Sequence, residues 1–111
     1  MIMLWKCSVC GYITEGDSAP SVCPKCGAPA EKFTALSDEA SEKIYKADRT
    51  NDIHHEIAAL AAKINTLCKE GLEINLDPGC NSAFNASNKR AWEIKQLVKA
   101  EIASHVAKEK Y

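Results

Sequence analysis

Four cysteines near the start of the chain fall into two C-x-x-C-G frames. Cys7, Cys10 and Gly11 make the first and Cys23, Cys26 and Gly27 the second, with twelve residues between Cys10 and Cys23. A tight turn between two cysteines so spaced points both sulfurs to one side, and two such turns supply four sulfurs in a tetrahedral array. That donor set suits zinc or a single iron and excludes calcium and magnesium, which require oxygen ligands. The glycine after each second cysteine lets the backbone bend so that its N–H groups can approach the sulfurs. Two disulfides are the competing use of four cysteines, and a reducing compartment disfavours them.

The rest of the composition says what must position those sulfurs. The chain has 111 residues, a size for one ordinary domain or two very small ones, and 46% hydrophobic content, as in a globular protein. Its 14 Lys and Arg nearly balance 15 Asp and Glu, so no net charge draws it to nucleic acid or anionic lipid. Neither a signal-like apolar run nor a membrane-spanning stretch is present, and the expectation is a cytoplasmic protein. Charge is uneven: Asp38–Glu56 carries six acids against three bases, and Lys89–Lys110 six bases against three acids. These segments are expected to lie near each other, within one chain or between two.

Composition changes near Leu36. The segment before it holds four of the six cysteines and three of the four prolines, a mixture that makes turns and short strands. Ser37 is a good N-cap, and Asp38 and Glu39 follow where the helix dipole favours acids. A short leading helix is expected from there, with a break or kink in the cap-rich Asp48–Asp52 stretch. Ile53, Ile57, Leu60, Ile64 and Leu67 then step in heptad rhythm along a helix ending at Gly71. Leu72, Ile74 and Leu76 lead as a loop to the turn signal Asp77-Pro78-Gly79. From Asn81, a second helix carries Phe84, Ala91, Ile94, Val98, Ile102 and Val106 on one stripe, flanked by Trp92 and Leu97, and finishes on Lys108 and Lys110. The two long helices are expected to form an antiparallel hairpin.

The residues around the cysteines carry a resemblance. WKCSVCGY, Gly16, Ala19-Pro20, CPKCGAP and Phe33 look like the rubredoxin-like domain of the rubrerythrin family, whose short spacing between knuckles the twelve residues here match. The likeness covers residues 4–36, about a third of the chain. It implies a rubredoxin-like metal-knuckle domain with short strands over 1–36; with the α-helical hairpin and its short leading helix that the residue pattern places over 37–111, the expected fold class is small α+β. It also implies one iron ion per chain on Cys7, Cys10, Cys23 and Cys26, with zinc able to replace it and Trp5, Tyr12 and Phe33 as a small aromatic core. The implied role is one-electron transfer between redox partner proteins. The donor would be a flavin-containing NAD(P)H reductase, and the acceptor an enzyme that removes oxygen or peroxide. The alternative is a structural zinc ribbon whose hairpin binds another protein.

Other residues weigh against a catalytic site in the chain itself. Rubrerythrins hold a di-iron centre with glutamates and Glu-x-x-His pairs, but none of His54, His55 and His105 lies three residues after a glutamate. No catalytic residues are therefore assigned, and the chain is expected to be a carrier, not an enzyme. A second metal site from His54, His55, Glu56 and His105 is disfavoured: with Gly71 opposite Asn81 or Ser82, His54 stands level with Lys99, about 9 Å of helix rise from His105. Solvated or capping histidines are the expectation. Cys68 and Cys80 are expected to be reduced thiols. Because each helix covers only one side of the other, the apolar seams imply a homodimer in which two hairpins make a four-helix bundle.

Overall fold

The computed structural model describes residues 2–111. The chain divides into two compact units, Met1–Lys46 and Ala47–Tyr111.

In the first unit three short strands form an antiparallel sheet in the order β2-β1-β3: β1 Leu4–Cys7, β2 Ile13–Glu15 and β3 Phe33–Ala35. Trp5 is paired with Thr14 on one side and Ala35 on the other, and Cys7 lies opposite Phe33. This register brings a cysteine and the largest buried ring of the unit together. Cys7, Cys23, Ala28 and Phe33 form the buried cluster, and Trp5, Tyr12 and Ala19 pack against it half-buried. The three aromatic residues expected beneath the knuckles are thus in place. Trp5 satisfies its indole N–H on the Gly16 carbonyl at 2.9 Å, which keeps a partly buried donor paired.

Helix α1 runs from Asp38 to Ile74. Ser37 caps it as expected, its Oγ accepting the Ala40 N–H at 3.1 Å. The expected break at Asp48–Asp52 is absent, and the reason lies in how those side chains are used. Thr50 bonds back to the Ala47 carbonyl at 2.7 Å along the helix. Asn51 is buried and donates to the Lys110 carbonyl at 3.0 Å, so its amide has a tertiary partner and does not compete for the backbone of its own turn. The helix also outlasts Gly71 and takes in Leu72 and Ile74, which the sequence places in a loop. It ends where Asn75 adopts a left-handed conformation with φ 51°, its N–H turned back to the Gly71 carbonyl.

Helix α2, Pro78–Ala107, begins three residues before the expected Asn81. Asp77 is its N-cap, accepting from the Cys80 N–H at 2.7 Å, and Pro78 takes the first helical position, where a missing N–H costs nothing. The Asp-Pro-Gly stretch is therefore a helix start. At the other end the N–H groups of Glu109 and Lys110 return to the carbonyls of Val106 and His105, so the helix stops before the two lysines expected to finish it.

The seam between the helices is built from small and polar residues. On α1 its buried positions are Ala47, Asn51, Ala61 and Cys68, with His54, Ala58, Asn65 and Leu72 half-buried between them in steps of three and four. On α2 the seam holds Phe84, Ala91, Lys95, Val98, Ile102 and His105. The Asn65 amide donates to both the Asn88 carbonyl and its Oδ1, while Asn51 meets His105. The expected apolar seam lies one residue to the side: Ile53, Ile57, Leu60, Ile64 and Leu67 are 37–62% exposed. Ile94 and Val106, placed by the sequence on the α2 seam, are exposed as well. Among the described residues, every ion pair is local to one helix: Lys46–Glu42, Arg90–Glu93 and His105–Glu101. None joins the acidic segment to the basic one.

Candidate metal centre

The two knuckles are built alike. In the first, the Gly11 N–H bonds to the Cys7 carbonyl at 2.9 Å and the Cys7 N–H to the Tyr12 carbonyl at 2.8 Å. In the second, Gly27 bonds to Cys23 at 2.9 Å and Cys23 to Ala28 at 2.8 Å. Closing each turn requires a positive φ after the second cysteine, 85° at Gly11 and 78° at Gly27. A Cβ at either position would meet nothing within 4 Å, so glycine is demanded by backbone conformation and not by lack of room.

These turns bring Cys7, Cys10, Cys23 and Cys26 together, as the spacing predicts. Their Sγ atoms all lie within 4.8 Å of one another, with Cys7 to Cys26 and Cys10 to Cys23 at 3.6 Å. A tetrahedron with metal–sulfur bonds of about 2.3 Å has edges of about 3.8 Å, so the cage fits one such ion. Cys7 and Cys23 are buried, Cys10 is half-buried and Cys26 is exposed. One side of the cage faces the core and the other faces water.

The turns also tune the thiols. The Cys10 N–H, helped by that of Val9, holds the Cys7 thiol below its ordinary range against the effect of desolvation. At Cys23 desolvation opposes ionisation, yet the N–H groups of Cys26 and Lys25, together with the Cys10 and Cys26 side chains, outweigh it and bring the pKa down to about 7. Cys26 goes the other way. The Ala28 N–H favours its thiolate, but desolvation and the neighbouring sulfurs of Cys10, Cys7 and Cys23 prevail and push it up to about 12. Four sulfurs this close do not all ionise without a cation, whereas a bound metal removes that restraint.

The other candidates behave differently. Among the described residues, the four cysteines are the one group of three or more potential ligands close enough to share an ion. His54 and His105 are nearer than the sequence implies, with ring centroids 6.1 Å apart. The height estimate fails because α2 starts early and Gly71 lies against Phe84, not opposite Asn81 or Ser82. His105 joins Asn51 and Glu101, and His55 meets the Tyr111 hydroxyl at 2.7 Å, while the buried Nδ1 of His54 has no hydrogen-bond partner among the described residues; His54 and His105 are thus packed in the seam and not solvated or capping as expected. Cys68 and Cys80 are free thiols, the first buried and the second half-buried. Asn51 was not legible as a structural residue; the only signal for it is its place in the seam rhythm of α1.

Comparisons with known proteins meet at this cage. Residues 5–34 match the family model for the rubrerythrin, rubredoxin-like domain. Reverse rubrerythrin-1 of Clostridium acetobutylicum is 54% identical over 35 residues, 32% of this chain and 19% of the relative. Rubrerythrin-1 of the same organism is 51% identical over 37 residues, 33% of this chain and 19% of the relative. Rubrerythrin of Nitratidesulfovibrio vulgaris is 47% identical over 32 residues, 29% of this chain and 17% of the relative. The chain thus spans about a fifth of the length of these curated relatives, and the likeness lies in its N-terminal segment. No solved structure matches. The N-terminal segment is a rubredoxin-like metal-binding module of the rubrerythrin type, and the matched residues end before α1 begins.

Proposed function

We propose that this protein is a one-electron carrier whose cage of Cys7, Cys10, Cys23 and Cys26 holds a single iron. An iron ion in a four-sulfur cage supplies an Fe(II)/Fe(III) couple with little change of geometry. The observation that carries the reading is the two-sided burial of the cage. Cys7 and Cys23 anchor it in the core beside Phe33, while Cys26 is exposed and Val9 and Val22 stand in solvent close by in sequence. An exposed sulfur within a small apolar rim gives an electron a short route to a docked protein. The peptide N–H groups of Val9, Cys10, Lys25, Cys26 and Ala28 favour the thiolate forms, and the same donors stabilise the more negative reduced cage.

The partners follow from the resemblance: a flavin-containing NAD(P)H reductase as donor, and an oxygen- or peroxide-removing enzyme as acceptor. We assign no reaction of its own to the chain, since the matched segment covers the cage alone. Ser41 and Asn51 are the buried polar residues among those described, and no carboxylate is buried on either helix in the manner of a di-iron bundle.

Metal content and colour of protein purified from its native host test the proposal. One iron per chain, a red oxidised form and bleaching by one electron equivalent are expected, with the colour lost in Cys23→Ser. A colourless native protein with one zinc per chain overturns the carrier reading in favour of a structural zinc ribbon.

A further inference from the structure

Ile53, Ile57, Leu60, Ile64 and Leu67 each immediately precede an α1 seam position, namely His54, Ala58, Ala61, Asn65 and Cys68. On α2, Ile94 and Leu97 likewise precede Lys95 and Val98. Viewed along an antiparallel pair, one helix winds clockwise and the other anticlockwise, so a residue preceding the seam turns about 100° toward the same flank on both. The seven side chains therefore share one flank of the hairpin, and all seven are exposed. Arg90 and Glu101 precede Ala91 and Ile102 and lie on that flank too, beyond the two α2 apolar residues at either end.

The spacing on this flank is close to symmetric. The α1 stripe is centred on Leu60 to within one residue, with Ile57 three before it, Ile64 four after it, and Ile53 and Leu67 each seven away. The α2 stripe is symmetric about the midpoint of Lys95 and Gln96, with Ile94 and Leu97 inside and Arg90 and Glu101 outside. The two centres stand within about two residues of the same height. Asn65 meets Asn88 and Asn51 meets His105, so residue 60, between them, is level with about residue 94 of α2. A face whose two stripes are centred so nearly at one height comes close to matching itself under a two-fold axis at that level.

We propose that this flank binds a second copy of the chain, with the two-fold axis crossing the bundle at the height of Leu60 and perpendicular to the helices. α1 then packs antiparallel on α1 of the second copy, and α2 on α2. Leu60 meets the partner's Leu60, Ile57 the partner's Ile64, and Ile94 the partner's Leu97. Arg90 faces the partner's Glu101, and the same pair recurs by symmetry at the other end of α2. Opposite charges at those two positions mark a second copy as the occupant, because each end supplies what the other needs. Within one chain Arg90 has only an exposed contact of 3.8 Å to Glu93, which leaves it free to turn. An axis parallel to the helices would instead stack α1 on the partner's α2 and leave Arg90 and Glu101 without each other.

Sedimentation of the metal-loaded full chain at micromolar concentration should report twice the 12.1 kDa chain mass. Arg90→Glu should raise the dimer dissociation constant at least tenfold, Glu101→Arg should do the same, and the double swap should restore it, with helix content unchanged in each. Position-specific oxidation fixes the register: Leu60→Cys should cross-link to the same position of the second copy, whereas in Leu67→Cys the two introduced thiols stand about 21 Å apart in height and should not join. A monomer with full helix content overturns the proposal and leaves the flank to a different protein. A dimer that cross-links at neither position, or whose double swap fails to recover, overturns this arrangement.

Discussion

Phe84 of α2 lies against the bare Cα of Gly71 on α1, so close that a Cβ at Gly71 would overlap the ring. Glycine inside a helix ordinarily costs about 1 kcal/mol relative to alanine, so Gly71→Ala would stabilise an isolated helix. Here the order reverses. The Cβ must displace a ring that fills the seam, and overpacking of this kind costs about 1–3 kcal/mol. Denaturant unfolding of Gly71→Ala should show a net loss of stability, and adding Phe84→Leu should recover part of it. A simple gain in Gly71→Ala would show that the ring moves aside freely.

Glu109 closes α2 with φ 59°, in the position where glycine is commonest. The Glu109 N–H reaches the Val106 carbonyl at 3.1 Å and the Lys110 N–H the His105 carbonyl at 2.7 Å, so the motif is complete although its residue is strained. Glu109→Gly should therefore stabilise the hairpin by about 1 kcal/mol, the usual cost of a left-handed non-glycine residue. Thermal unfolding reads this directly. A decrease would mean that the Glu109 side chain makes a compensating contact.

Both residues bear on what the sequence could tell. The cage was legible because its ligands are neighbours along the chain and the glycine after each pair reports a local backbone need. The hairpin was legible as two helices but not as a seam. Ile53, Leu60 and Leu67 are more apolar than Ala61, Asn65 and Cys68, so periodicity alone assigns them the inside. Packing chose the smaller set, which lets the helices come close, and left the larger set for the flank. The helix ends failed for a different reason: Asp77-Pro78-Gly79 has the composition of a turn and of an N-terminus alike. That error also displaced His54 from His105 in the estimate of height.

The knuckle glycines allow a separation of causes. At Gly27 an added Cβ meets nothing within 4 Å, yet φ is 78°. Gly27→Ala should therefore lower the stability of the metal-loaded module by about 1–2 kcal/mol through backbone strain alone. Gly27→Asn should cost less, because asparagine tolerates this region better. Equal losses for the two variants, measured by thermal unfolding and by metal release to a chelator, would point to a steric cause instead.

The last prediction concerns protons. The Cys23 pKa is lowered to about 7 from an ordinary value of 9.0, so its stabilisation of the metal-free fold is present above pH 9 and is lost as pH falls through 7. Cys7 is shifted in the same direction. Cys26, pushed up to about 12, contributes stability that is full below pH 9 and is lost as pH rises toward 12. The metal-free protein, kept reduced and in chelator, should then melt at a higher temperature at pH 8.5 than at 6.5 in its N-terminal unit, and lose that gain above pH 9. Metal binding follows the same logic. All four sulfurs must be thiolates in the loaded cage, so Cys26 releases its proton throughout this range, while Cys23 has one to release only below about pH 7. Zinc titrated calorimetrically in buffers of different ionisation enthalpy should displace about one proton fewer at pH 8 than at pH 6. An unchanged proton count would show that the Lys25 and Cys26 N–H groups do not hold the Cys23 sulfur ionised.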